Sequence, residues 1–131
     1  MNNYITSTIF RKILAALSGL FLTLFLVGHL AGNLQLFISG IEGQTQFNKY
    51  ALFMTTNPVV KILSIVTYLS ILLHVILTLY LSFKSRQARP IGYAVSSGNA
   101  NSTWSSNNMA ILGSFLLLFI IVHMRSFWYE M

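Results

Sequence analysis

Three stretches of this chain are apolar almost without interruption, and two more polar stretches separate them. The apolar stretches run over about 13–37, 59–83 and 109–128. About 20 helical residues cross the hydrocarbon core of a bilayer, so each stretch is long enough to span. No Asp or Glu falls inside a span, and the full charges within them, Lys61 and Arg125, sit near span ends. The pattern predicts an all-α integral membrane protein, with residues 1–131 forming one membrane domain of three transmembrane helices. Pro58 opens the second helix, where a missing N–H costs nothing because first-turn N–H groups lack partners anyway. Within the first connection, Phe47 to Met54 is amphipathic and is expected to lie at the membrane interface. The second connection, Lys84 to Asn107, is polar and holds Pro90, Gly92 and Gly98, which predicts a loop. Arg11 and Lys12 before the first apolar run resemble the start of a signal peptide. The run is too long for a signal core and lacks a small-x-small cleavage site, so it reads as a retained helix.

Composition strengthens this reading. Hydrophobic residues make up 55% of the 131 residues and charged residues only 8%, too few to clothe a water-facing surface. The net charge of +6 therefore reports orientation and anionic headgroups rather than nucleic acid. Arg11 and Lys12 flank the first helix, and Lys84, Arg86 and Arg89 follow the second, on the same side if there are three spans. Lys49, Lys61 and Arg125 fall on the other side. The more basic side is expected to be cytoplasmic, which places the N-terminus there. The absence of Cys excludes disulfides, zinc-thiolate sites, cysteine-ligated iron–sulfur clusters and covalent c-type haem.

Candidate chemistry then rests on histidine. His29, His74 and His123 are the only histidines, one in each span. An ionisable residue within a bilayer is costly and is a functional candidate; the bland alternative is an imidazole resting on a neighbouring carbonyl. At about 100° per residue, Thr67, Ser70 and Thr78 share the face of His74, with Ser64 and Ser82 at its margin. Ala15, Ser18, Leu22, Phe25 and Asn33 share the face of His29, with Gly19 and Gly28 at its margins. Such faces belong inside a bundle, and small residues let a large flat group approach the backbone, although they also serve plain helix packing. Gly113 lies near the face of His123. Proton paths usually pair histidine with acids, which the spans lack, and hydrolytic zinc needs several ligands at one depth. Haem needs one axial imidazole from each of two helices and an apolar slot, so haem fits best. A cofactor-free structural anchor and a transporter fragment are the competing readings.

The segments Arg11-Lys12, Ala15 to Leu22, Val27 to Leu34, Phe47 to Ala51, His74, Ala88-Arg89-Pro90, Asn108-Met109, Gly113 and Val122-His123-Met124 carry a resemblance. In that order they resemble the b558-type cytochrome b subunits of succinate dehydrogenase and fumarate reductase, over nearly the whole chain. The resemblance implies a bacterial inner-membrane anchor for a flavoprotein and an iron–sulfur protein on the cytoplasmic side. It implies two b haems with four histidine ligands and electron exchange with a quinone, usually menaquinone. Dicarboxylate chemistry belongs to the flavoprotein, so no catalytic residue is expected in this chain. Such subunits have five membrane helices, with the fourth haem ligand on helix four. This chain ends after helix three, so it is expected to be a fragment, the first three helices of a five-helix dihaem bundle. Glu42 lies in the outer connection, where some of these proteins use an acidic residue near the quinone, but it cannot be aligned securely and no role is assigned to it.

Depth suggests how the ligands pair. At 1.5 Å per residue, His29 lies about 24 Å, His123 about 21 Å and His74 about 14 Å from the cytoplasmic face. His29 and His123 are therefore expected to bind one haem near the outer face. His74 is expected to bind the other with a ligand outside this sequence.

Overall fold

The computed structural model describes residues 7–92 and 102–129. These residues form helices and turns, with no strand among them. Three helical stretches are long and apolar enough to cross a membrane: Thr8–Phe37, Pro58–Gln87 and Met109–Phe127. The chain divides into two compact units, Met1–Leu81 and Ser82–Met131, with one long helix passing from the first into the second.

The first unit begins with α1, Thr8–Asn33, which starts five residues before the apolar run because Ser7 caps it. The Ser7 hydroxyl accepts from the Phe10 N–H at 3.1 Å, satisfying a first-turn donor that would otherwise lack a partner. A short 3-10 turn, Leu34–Phe37, follows α1. The chain then turns at Gly40, whose φ of +84° lies in the left-handed region that favours glycine. Helix α2, Gly40–Thr56, comes next. It is longer than the amphipathic piece expected at Phe47–Met54. Glu42 sits in its first turn, where a negative charge complements the helix dipole. The Tyr50 ring of α2 covers Gly32 of α1, where any Cβ would collide with the phenol oxygen. Gln35 adds two polar ties, donating to the Gly32 carbonyl at 3.1 Å and accepting from Gln46 at 3.3 Å.

Helix α3, Pro58–Gln87, starts where sequence predicted. The Asn57 side chain accepts from Val59 and Val60 at 2.9 and 3.3 Å, and Pro58 occupies the first helical position. The pairings of Arg11 with Tyr80 and of Ser18 with His74 run in opposite senses along the two helices. Helices α1 and α3 are therefore antiparallel neighbours. The Arg11 guanidinium lies 4.6 Å from the centre of the Tyr80 ring, a cation–π contact at one end of the pair.

The second unit contains the C-terminal end of α3, the single-turn helix α4, Trp104–Asn107, and helix α5, Met109–Met124. Thr103 caps α4 by accepting from the Ser106 N–H at 3.2 Å. The polar connection expected over 84–107 is thus narrower than the sequence suggested, because helix occupies both of its ends; residues 93–101 lie outside the described residues. A wider π turn, Arg125–Tyr129, follows α5.

Among the described residues, the buried hydrophobic core consists of Ala15 alone, joined by the buried hydroxyls of Ser18 and Thr67. Leu24, Val27 and Leu30 on α1, and Phe115, Phe119 and Val122 on α5, are each more than half exposed. A water-soluble fold cannot leave so much apolar surface uncovered, because each square ångström in water costs about 25 cal/mol. Lipid and other membrane helices are the media that cover such surfaces without that cost, so the chain is a membrane protein.

Candidate functional site

Among the described residues, α1 and α3 bury polar groups against each other at the seat of His74. Its Nδ1 lies 3.0 Å from the Ala15 carbonyl oxygen and 3.1 Å from the Ser18 hydroxyl. A carbonyl can only accept, so Nδ1 must carry the proton and donate to it. In the neutral imidazole, that assignment leaves Nε2 as the nitrogen with its lone pair available. Nε2 makes no hydrogen bond among the described residues. The ring lies against Gly19, where an added Cβ would come within 2.9 Å of Cε1. Glycine is therefore what lets the imidazole approach the α1 backbone.

Flanking hydroxyls are turned to their own helix. Thr67 donates to the Leu63 carbonyl at 2.9 Å, and Thr78 donates to the His74 carbonyl at 2.7 Å. On the hydroxyl face of α3 expected around His74, Thr67 and Thr78 are satisfied within their own helix. The contact with the imidazole comes instead from α1. Ala15, Ser18 and Gly19 share the helix face of His29 in sequence, yet in the structure they seat His74.

His29 lies on the same face of α1, 11 residues beyond Ser18, which is about 16 Å along the helix axis. It is exposed, and its ring stacks on Phe25 with centroids 5.6 Å apart and planes 25° apart. A Cβ added at neighbouring Gly28 would meet nothing within 4 Å. The surface at Gly28 is therefore open.

In the second unit, His123 stands between two phenylalanines of its own helical stretch. Phe119 stacks on it at 5.4 Å and 19°, and Phe127 tilts against it at 4.9 Å and 41°. His29 and His123 thus share a local design, a phenylalanine four residues earlier stacked on the imidazole. His74 has Ser70 at that position and a cross-helix hydrogen bond instead.

Among the described residues, no three of His, Cys, Asp and Glu come together. The structure brings His74 to Ala15, Ser18 and Gly19, and it leaves His29 a helix-length away within the same unit. Sequence reading missed the roles of Phe119 and Phe127, although their i±4 spacing from His123 was available to find them. The assignment of Ser18 to His74 could not be found that way, because it depends on how α1 and α3 pack.

A donor set of imidazoles, with no thiolate in the chain and no carboxylate in the spans, suits haem iron, which takes imidazole nitrogen as a ligand. The His74 seat is compatible with such a ligand, one ring nitrogen fixed by a backbone carbonyl and the other without a hydrogen bond among the described residues. Comparison with known proteins finds no match to this chain among family models, curated proteins or solved structures.

Proposed function

We propose that the chain is a haem b-binding membrane-anchor subunit of a bacterial succinate:quinone oxidoreductase, either a succinate dehydrogenase or a fumarate reductase. The observation that carries this reading is the His74 imidazole, held through Nδ1–H by the Ala15 carbonyl with Nε2 left as a ligand nitrogen. The sequence resemblance supplies the class of complex. Haem b supplies reversible one-electron transfer when bound.

The depth of each histidine along its apolar run suggests the work of this chain's residues. His74 would offer Nε2 to one haem, with its partner ligand outside this sequence. His29 and His123 would hold a second haem, nearer the outer face. Phe25, Phe119 and Phe127 hold those two imidazoles by stacking. The lipid-facing leucines and isoleucines keep water from the sites, and the Lys84, Arg86 and Arg89 cluster faces the cytoplasmic flavoprotein and iron–sulfur partners. Electrons pass between the iron–sulfur subunit and a membrane quinone, with menaquinone the expected species. Dicarboxylate chemistry takes place in the flavoprotein.

One observation favours a second reading. The Nδ1 contacts of His74 alone would also serve a cofactor-free anchor, in which the histidine only clamps α3 to α1. The two readings differ at Nε2. A reduced-minus-oxidised absorption spectrum of the purified intact complex decides between them. Low-spin b-type haem bands that weaken on His74→Ala support the haem anchor. A complex without an α-band, still stable and assembled, leaves the structural anchor.

A further inference from the structure

The contact between Ser18 and His74 has directional chemistry. The Ser18 hydroxyl has one proton, and it lies 2.8 Å from the Leu14 carbonyl and 3.1 Å from the Ala15 carbonyl of its own helix. Its proton is thereby engaged, and its lone pairs remain to accept. His74 Nδ1–H, already directed at the Ala15 carbonyl at 3.0 Å, reaches the hydroxyl oxygen at 3.1 Å. The proton of the imidazole is shared between two acceptors, both on α1. Ser18 and Ala15 are buried, so water does not compete for this proton.

We propose that Ser18 is a positioning residue that tunes His74, a second acceptor for Nδ1–H beside the Ala15 carbonyl that raises the donor strength of Nε2. Acceptors at the remote ring nitrogen draw its proton outward and leave more electron density at the opposite nitrogen. A stronger imidazole donor stabilises ferric over ferrous iron, so the Ser18 contact lowers the midpoint potential of the haem that His74 binds. The effect is local, because His29 sits about 16 Å further along α1 and stacks on Phe25 rather than donating to Ser18. This inference rests on the haem reading for its redox consequence, while the shared Nδ1–H hydrogen bond belongs to the chain itself.

The test is a redox titration of the intact complex carrying Ser18→Ala or Ser18→Thr, following each haem by its own spectral signature. The expected result is an upward shift of the His74 haem's midpoint in Ser18→Ala, no shift of the other haem, and a return toward the natural value in Ser18→Thr. Loss of that haem alone in Ser18→Ala, with retention in Ser18→Thr, also supports the proposal. An unshifted midpoint in Ser18→Ala with both haems present overturns it. Equal shifts or equal losses in both variants overturn it as well, since they report packing rather than the hydroxyl. Nitrogen-15 NMR of histidine in the haem-free full-length chain separates this idea from the haem reading. A His74 Nδ1–H resonance that shifts in Ser18→Ala and returns toward its natural position in Ser18→Thr upholds the role of Ser18, even if the natural complex proves to hold no haem. A resonance indifferent to Ser18 ends the proposal.

Discussion

His74 and His29 lie in the same unit, on facing helices, and are built in opposite ways. His74 is half-buried and tied across the α1–α3 contact by a carbonyl and a hydroxyl, with Gly19 making room for its ring. His29 is exposed, rests on a phenylalanine of its own helix, and has open space beside Gly28. His123 follows the design of His29, with Phe119 in the place of Phe25. The difference shows how a membrane helix can orient an imidazole. A cross-helix hydrogen bond fixes which nitrogen carries the proton, and it needs a tertiary contact. An i−4 aromatic fixes the plane of the ring only, and it travels with the helix wherever that helix packs. The first kind of site depends on two helices, while the second is built within one.

The contrast breaks most sharply under histidine replacement. His74→Ala in the intact complex is expected to abolish one haem signal, and His29→Ala and His123→Ala are each expected to abolish the other. Spectra of the three variants check this, and removal of the same haem by the His29 and His74 variants would sink the two-site scheme.

Accessibility sharpens the comparison by telling which end of the α1–α3 pair faces the cytoplasm. Cysteine in place of Ser85, beyond Tyr80 on α3, is expected to resist an impermeant thiol reagent in intact cells and to react after permeabilisation. Labelling in intact cells would reverse the orientation derived from the basic residues.

The two glycines test the seat against the open surface. Gly19→Val forces a branched side chain onto the His74 ring and is expected to cost about 1–3 kcal/mol, the usual range for overpacking. Gly28→Ala is expected to change the stability of the haem-free chain by no more than about 0.5 kcal/mol. Unfolding of the two variants in detergent measures the difference, and equal effects would mean that the Gly19 contact is not tight.

The smallest effects belong to the phenylalanines. Phe25→Leu and Phe119→Leu keep an apolar side chain but remove an aromatic pair worth about 0.5–1.5 kcal/mol. Each is expected to weaken retention of the outer haem and to spare the haem at His74. Haem loss to apomyoglobin, followed separately for the two haems, would report this. A matching loss at His74 would show that the phenylalanines act through general stability.

Much of this protein follows from sequence alone. The unbroken apolar runs, the scarcity of charge and the start signal at Pro58 determine three helices long enough to cross a membrane, because in lipid the backbone must satisfy its own hydrogen bonds. The placement of one histidine per helix, and the phenylalanines four residues from His29 and His123, are also fixed by the 3.6-residue repeat. Helical periodicity correctly put Ser18 and His29 on one face of α1, but it could not say what that face meets. Only the packing of α1 against α3 decided that Ser18, Ala15 and Gly19 receive His74. The reason is physical: periodicity orders residues around one helix axis, whereas the donor and acceptors of the His74 seat lie on two helices. Their distance, and with it the imidazole tautomer, is set by how closely Gly19 lets those helices approach.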